Sequence, residues 1–382
     1  MAYQHIDIQS AQSSKHEGAP CGDAFFFKRT PYHTTLILAD GVGSGIKAHV
    51  AAQMNVSRLS ELLEGGATLR DAFFSVAGTM SAWRDHTMPF SAFLLARVLN
   101  DGTATVLSYE MPPVVLFKKQ EAMLIEGEPL VVPAGLAHEA HFSLKPEDGL
   151  LLMSDGITQA GLGKGFISGW GAHGVSNFML HWRDQKGPID ALSQAVLDQA
   201  TLYDGNESGD DRTTVFMYCR LGQVVDVLTG PPSERSLDAG IVDMFLREDC
   251  FKVICGATTA DIVSRHARRD LEVEQRPVSF STPPRYYMQG VDIVTEGAIT
   301  LMQAYNILEE DLKASGDRSA ASDLAHIFQM ADWVRFTVGL ARNPANTDIV
   351  YRKQGILPRD KIIPLLAEKL ERMGKLVTVQ YA

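Results

Sequence analysis

Through the first 220 residues, short apolar runs follow one another mostly without a helix between them: DAFFFKR, TTLILAD, FSAFLLARVL, TATVLSYE, VVLFKK, LLLMSD and TTVFMYC. They are biased toward apolar, aromatic or β-branched residues, and turn residues bound several of them, so they read as strands. Strands in direct succession favour antiparallel sheets, with helices packed outside, over an alternating doubly wound fold. Helical patterns cover 46–63, 68–85, 175–182 and 189–203, and in the last Ile189, Leu192, Ala195, Val196 and Gln199 share one face. The expected class for this part is α+β.

The pattern changes at LGQVVDVLTGPPSERSLDAG, where Pro231 and Pro232 lie among Gly, Ser and Asp in a turn-rich connection. Beyond it, FKVICGATTADIVSRHA reads strand, tight turn, helix, and VDIVTEGAITLMQAYNILEED repeats that order. That order implies a smaller α/β domain with some parallel strands. One long helix is expected over 319–342 and another over 360–373. The expected organisation is a first domain over 1–228, a linker over 229–245 and the α/β domain over 246–382. A length of 382 residues also favours two domains.

Within the first part, LILADGVGSG ends an apolar run on Asp40 and a glycine-rich turn. A dinucleotide site uses such glycines to approach a pyrophosphate, but Asp40 would repel it, and Gly41, Gly43 and Gly45 miss the GxGxxG spacing. Three further stretches place carboxylates at strand ends: Asp23 in GDAFFF, Asp155 in LLLMSDGITQAG, and Asp210 with Asp211 in GDDRTTVFMY. Oxygen-only ligands suit hard cations such as Mg²⁺ or Mn²⁺ better than zinc. Asp-Gly is a common turn pair on its own. Four acidic stretches converging on one sheet edge make a metal site the stronger reading.

GDAFFF, ADGVGSGIKA, MSDGITQA and GDDRTTV resemble, in order, the motifs of the SpoIIE-type branch of the metal-dependent (PPM) protein phosphatases, over about residues 15–220. The resemblance implies an α-β-β-α sandwich, a centre of two Mn²⁺ or Mg²⁺ ions and hydrolysis of a phosphoserine or phosphothreonine protein, such as a partner-switching regulator. It implies that Asp40 bridges both ions and the Gly41 carbonyl binds the second. Asp155 and Asp210 would bind the first, Asp23 would act on the second directly or through water, and Asp211 would support the shell. Two cations lower the pKa of a bridging water and neutralise phosphoryl charge. The wider superfamily has a His after the Asp-Gly pair, where this chain has Val42, and a phosphate-binding Arg whose nearest counterpart is Lys15. A metal-bound water can supply the missing proton. The competing reading is a non-catalytic sensor or scaffold on the same fold, against which the retained aspartates argue.

Other features carry less. HEAH at 138–141 lacks HExxH spacing and reads as a polar strand or loop. His86 is a weak candidate acid, and Cys21 reads as a small buried hydrophobe. In CGATTAD, Thr258 and Thr259 could bind an anion at a helix start, with Glu296 at a neighbouring strand end. Thr258 and Asp261 have capping-box spacing, and a capped helix is slightly favoured. The formal charge of −11 divides into −8 over 1–220 (16 basic, 24 acidic residues) and −3 beyond, which excludes a nucleic-acid footprint. No apolar run reaches the ~18 residues of a membrane span. The N-terminus has no secretory pattern. With four cysteines and no CxxC pair, the expected compartment is the cytoplasm.

Overall fold

A computed structural model describes residues 3–83, 90–206, 209–273, 286–310, 319–341 and 357–382. The chain divides into two compact units, 1–221 and 222–382. His86 lies outside the described residues.

In chain order the first unit contains β1 (Gln4–Ser13), β2 (Asp23–Arg29), β3 (His33–Gly41), α1 (Ile46–Glu64), α2 (Leu69–Trp83), β4 (Ser91–Leu99), β5 (Thr103–Tyr109), β6 (Val114–Phe117), β7 (Ala122–Ile125), β8 (Glu128–Leu130), β9 (Ala137–Ser143), β10 (Gly149–Met153), α3 (Asp155–Thr158), α4 (Gly171–Asp184), α5 (Leu192–Tyr203) and β11 (Arg212–Leu221). The strands form two antiparallel sheets, ordered β1-β11-β10-β6-β7 and β2-β3-β4-β5-β9-β8.

Strand alternation sorts the apolar residues into three layers. Leu36, Leu38, Leu94 and Ala96 of one sheet meet Ile6, Leu150, Leu152, Val215 and Met217 of the other in a central core. The opposite face of β3 and β4, with Ile37, Phe93 and Leu95, packs on Ala52, Val56 and Leu59 of α1 and Phe73 and Val76 of α2. The outer face of the other sheet, with Leu151 and Phe216, packs on Val175 and Met179 of α4 and Leu192 and Val196 of α5. The architecture is an α-β-β-α sandwich, as expected. The longer helices bury residues three or four positions apart, for example Ala48, Ala52, Val56 and Leu59 in α1.

The second unit contains β12 (Val224–Thr229), α6 (Asp238–Arg247), β13 (Phe251–Cys255), α7 (Ala257–Ala267), β14 (Leu271–Val273), β15 (Tyr286–Met288), β16 (Val291–Thr295), α8 (Ala298–Ile307), α9 (Ala320–Met330), β17 (Trp333–Val338), α10 (Arg359–Arg372) and β18 (Leu376–Tyr381). The sheet order is β14-β15-β16-β13-β12-β17-β18, and β16, β13, β12, β17 and β18 run parallel. Helices α8, α9 and α10 cover one face, through Leu301, Phe328 and Leu366. The other face packs against α6 and α7 through Phe245 and Val263. Asp226 and Arg335 form an ion pair across β12 and β17.

Two expectations for this region change. The boundary lies at 221/222, not 228/229, because Val224–Thr229 is an interior strand of the second sheet, between β13 and β17, and the expected linker contains most of α6. The single helix expected over 319–342 is α9 followed by β17, because WVRFTV alternates partly exposed and buried residues with strand period. Among the described residues no helix is long and apolar enough to cross a membrane.

Candidate active site

Register places Asp23 opposite Asp40, since β2 and β3 pair them directly. The strand β10 ends at Met153, and Ser154 then turns the chain so that Asp155 opens α3. The Asp155 backbone N–H donates to Asp40 Oδ2 at 3.3 Å. Asp211 immediately precedes β11, and the Lys15 backbone N–H donates to its Oδ1 at 2.8 Å. Asp210 accepts from the Asp211 backbone N–H at 3.0 Å, and Lys15 Nζ approaches its Oδ1 at 3.4 Å. Carboxylates separated by nearly 190 positions thus gather where β3 and β10 end and β2 and β11 begin.

Three glycines permit the approach. A Cβ on Gly41 would lie 2.1 Å from the Ala48 carbonyl oxygen, and one on Gly156 would lie 2.1 Å from that of Asp211. At Gly22 the obstacle would be Asp211 Oδ2, at 2.6 Å. The need at Gly41 and Gly156 is closeness of backbone and not unusual φ, since neither has a positive φ.

The electrostatics are unfavourable for a set of anions alone. Asp23 is 2% exposed, and both its carboxylate oxygens and Asp211 Oδ2 are buried without a hydrogen-bond partner. Burial, with added repulsion from Asp211 and Asp155, pushes the Asp23 carboxyl up to about 6. Burial and the charges of Asp23 and Asp155 raise Asp40 well above the usual carboxylate range. Asp155 is raised by burial and by Asp210. Among the described residues, no three or more acidic, His or Cys side chains are placed closely enough to hold a metal ion as they stand. The cluster is an open, under-neutralised group of oxygen donors, with the chemistry that hard cations satisfy.

The supporting shell was not legible in the sequence. Arg212, 1% exposed, is ion-paired to Asp204 and donates from Nε to the Gly156 carbonyl at 3.3 Å, tying α3 to β11. Gln12 donates to the Asp23 carbonyl at 3.2 Å and to Thr213 Oγ1 at 2.9 Å. Ser154 Oγ accepts from the Thr213 N–H at 2.9 Å. A strand arginine reads as surface in sequence, so the DDRTTV motif gave no sign that Arg212 is buried. Val42 is 63% exposed.

Residues outside this cluster fall elsewhere. HEAH lies on β9, where Glu139 pairs with Arg70. In the second unit Thr258 is exposed on the first turn of α7, while Thr259 is buried and its hydroxyl accepts the Gly230 N–H at 2.9 Å. Thr259 therefore braces the turn after β12. The N-cap of α7 is Gly256, without a side-chain cap, so the expected Thr258–Asp261 capping box does not form; Asp261 pairs with Arg265. Glu296 is exposed between β16 and α8.

A family model described as Stage II sporulation protein E (SpoIIE) matches residues 30–220. The Stage II sporulation protein E of Priestia megaterium is 26% identical over 159 residues, which are 40% of this chain and 27% of that relative. The chain thus spans about a quarter of the length of that curated relative. Among solved structures, the PP2C phosphatase domain of SpoIIE from Bacillus subtilis, with a fragment of its regulatory domain, is 19% identical. That match covers 58% of this chain and 64% of that one, with a TM-score of 0.48. The RsbU and RsbW domains of a Mycobacterium tuberculosis protein are 17% identical, covering 64% and 69% of the two chains, with a TM-score of 0.49.

Proposed function

Since this chain belongs to the SpoIIE family, we propose that its first unit is a metal-dependent phosphatase acting on phosphoserine or phosphothreonine in a protein. The supporting observation is the cluster of Asp23, Asp40, Asp155 and Asp211, whose buried oxygens include three without partners. In this reading Asp40 and the Gly41 carbonyl would help to hold two Mn²⁺ or Mg²⁺ ions, with Asp40 shared by both. Asp155 and Asp210 would hold one ion, Asp23 would serve the other, and Asp211 would support the set. When bound, such ions supply an activated water and neutralise phosphoryl charge.

The chain's own residues do the positioning. Gly41 and Gly156 let the backbone close on the cluster. Arg212 fixes the start of α3 and thereby Asp155. Lys15, with its ammonium beside Asp210, offers the substrate phosphoryl group a point charge at the rim. Val42 cannot transfer a proton, so leaving-group protonation would fall to a water of the metal centre. The intact acidic set favours turnover over a scaffold role. A partner-switching regulator is the proposed substrate class, and the second unit the proposed regulatory module.

The test is a titration of aryl phosphate and phosphoserine-peptide hydrolysis with Mn²⁺, Mg²⁺ and chelator. Turnover without either metal, or none with both, defeats the reading.

A further inference from the structure

We propose that the cavity between the C-terminal end of α1 and the outer face of β2, β3 and β4 binds a small organic anion with one charged head and a short apolar tail. The cavity encloses about 240 Å³, below the roughly 300 Å³ at which sites for drug-sized ligands begin. Its floor is set by register: Lys28, Thr35 and Arg97 are successive partners across β2, β3 and β4, so their side chains share the outer face. Phe26 and Ile37 form the next rung, and Leu63 closes the roof from α1.

Charge selects the ligand. Lys28 Nζ is taken by Glu64 Oε1 at 2.6 Å. Arg97 is half-buried, and its Nε donates to Thr35 Oγ1 at 2.9 Å. It has no carboxylate partner among the described residues. Burial lowers the Arg97 pKa, and burial together with the Arg97 charge lowers that of His33. With the Lys28–Glu64 pair self-neutralised and His33 uncharged at neutral pH, the wall carries one uncompensated guanidinium. A half-buried cation beside Phe26 and Leu63 is best satisfied by an anion that brings its own apolar surface. Asp40 is five positions along β3 from Thr35, roughly 17 Å at strand rise, so this site is separate from the acidic cluster.

The test is calorimetry of the full chain with acetate, butanoate, hexanoate, hexyl phosphate and 1-hexanol. Saturable one-site binding is expected for the anions, tightening from acetate to hexanoate, with 1-hexanol much weaker. The tighter of hexanoate and hexyl phosphate identifies the head group. Arg97→Gln should weaken hexanoate binding by about tenfold or more, and Arg97→Lys should restore part of it. If Arg97→Gln does not fold, protection of Arg97 in the wild-type chain from an arginine-directed reagent by hexanoate gives the same answer. Equal binding of hexanoate and 1-hexanol, unchanged binding by Arg97→Gln, no protection of Arg97, or no saturable heat with any anion would overturn the proposal.

Discussion

Asp23 and Asp40 face each other across the β2–β3 ladder, and neither carboxylate oxygen of Asp23 forms a well-placed hydrogen bond. A sheet register that places two acids side by side in a dry site is unfavourable for the fold alone. It becomes useful once cations share the site.

Asp40→Asn should therefore abolish hydrolysis while the fold persists. The expected drop in kcat/KM is on the order of a thousandfold, because bridging cations supply several kcal/mol at the transition state. Steady-state kinetics with saturating Mn²⁺ checks this, and near wild-type turnover would remove Asp40 from the centre.

Asp23→Asn should stabilise the chelator-treated protein by about 1–3 kcal/mol, since it removes a buried charge without partners. The same variant should gain less stability from added Mn²⁺ than the wild type. Urea titrations with and without metal read both effects; a loss of metal-free stability would contradict the account.

Gly156→Ala should cost about 1–3 kcal/mol and most of the activity, because the added carbon meets the Asp211 carbonyl oxygen. Gly78→Ala in α2 meets nothing within 4 Å and should raise stability by about 0.5–1 kcal/mol. Opposite signs in thermal melts are the expected result.

The pair of threonines on α7 separates in the same way. Thr259→Val removes the acceptor of the Gly230 N–H and should cost about 1 kcal/mol or more, whereas Thr258→Ala should be near neutral. Equal effects in denaturant titrations would show that Thr259 is no brace.

Stability at acid pH should depend on Asp7. Burial raises its pKa, but hydrogen bonds from His5 and Arg220 outweigh burial and bring it down to about 2, from 3.8. A carboxylate with a depressed folded pKa stabilises above its unfolded value and loses that contribution as pH falls through the folded one. The advantage of the wild type over Asp7→Asn should hold above pH 4 and shrink towards pH 2. A stability gap independent of pH in that window would refute the assignment.

The acidic stretches were legible because each is continuous in sequence and sits where an apolar run starts or stops. The sandwich was legible because β2 to β6, β10 and β11 are short apolar or β-branched runs that follow one another with few helices between them. The part played by Gly41 was only half visible: the motif pointed to its carbonyl, whereas its closeness to Ala48 appears only in the fold. Arg212 was invisible, since its partner Asp204 lies in a turn with no periodic signal. The strand β17 was hidden because apolar residues before and after Asp332 continue a helical spacing until Trp333 begins to alternate. The role of Thr259 was hidden because its partner, Gly230, lies in the turn after β12, within the stretch expected to be a linker.

The interior position of β12, between β13 and β17, has a consequence for synthesis on the ribosome. Its partner β13 follows soon after, but β17 pairs Arg335 with Asp226, 109 positions later. At roughly 5–20 residues per second, one side of β12 waits about 5–20 s for its neighbour. Throughout that interval Asp226 stands as an unpaired charge in an otherwise apolar VVDVLT segment, which discourages pairing with a neighbouring nascent chain. The ion pair that later closes the sheet would thus begin as a gatekeeper against aggregation.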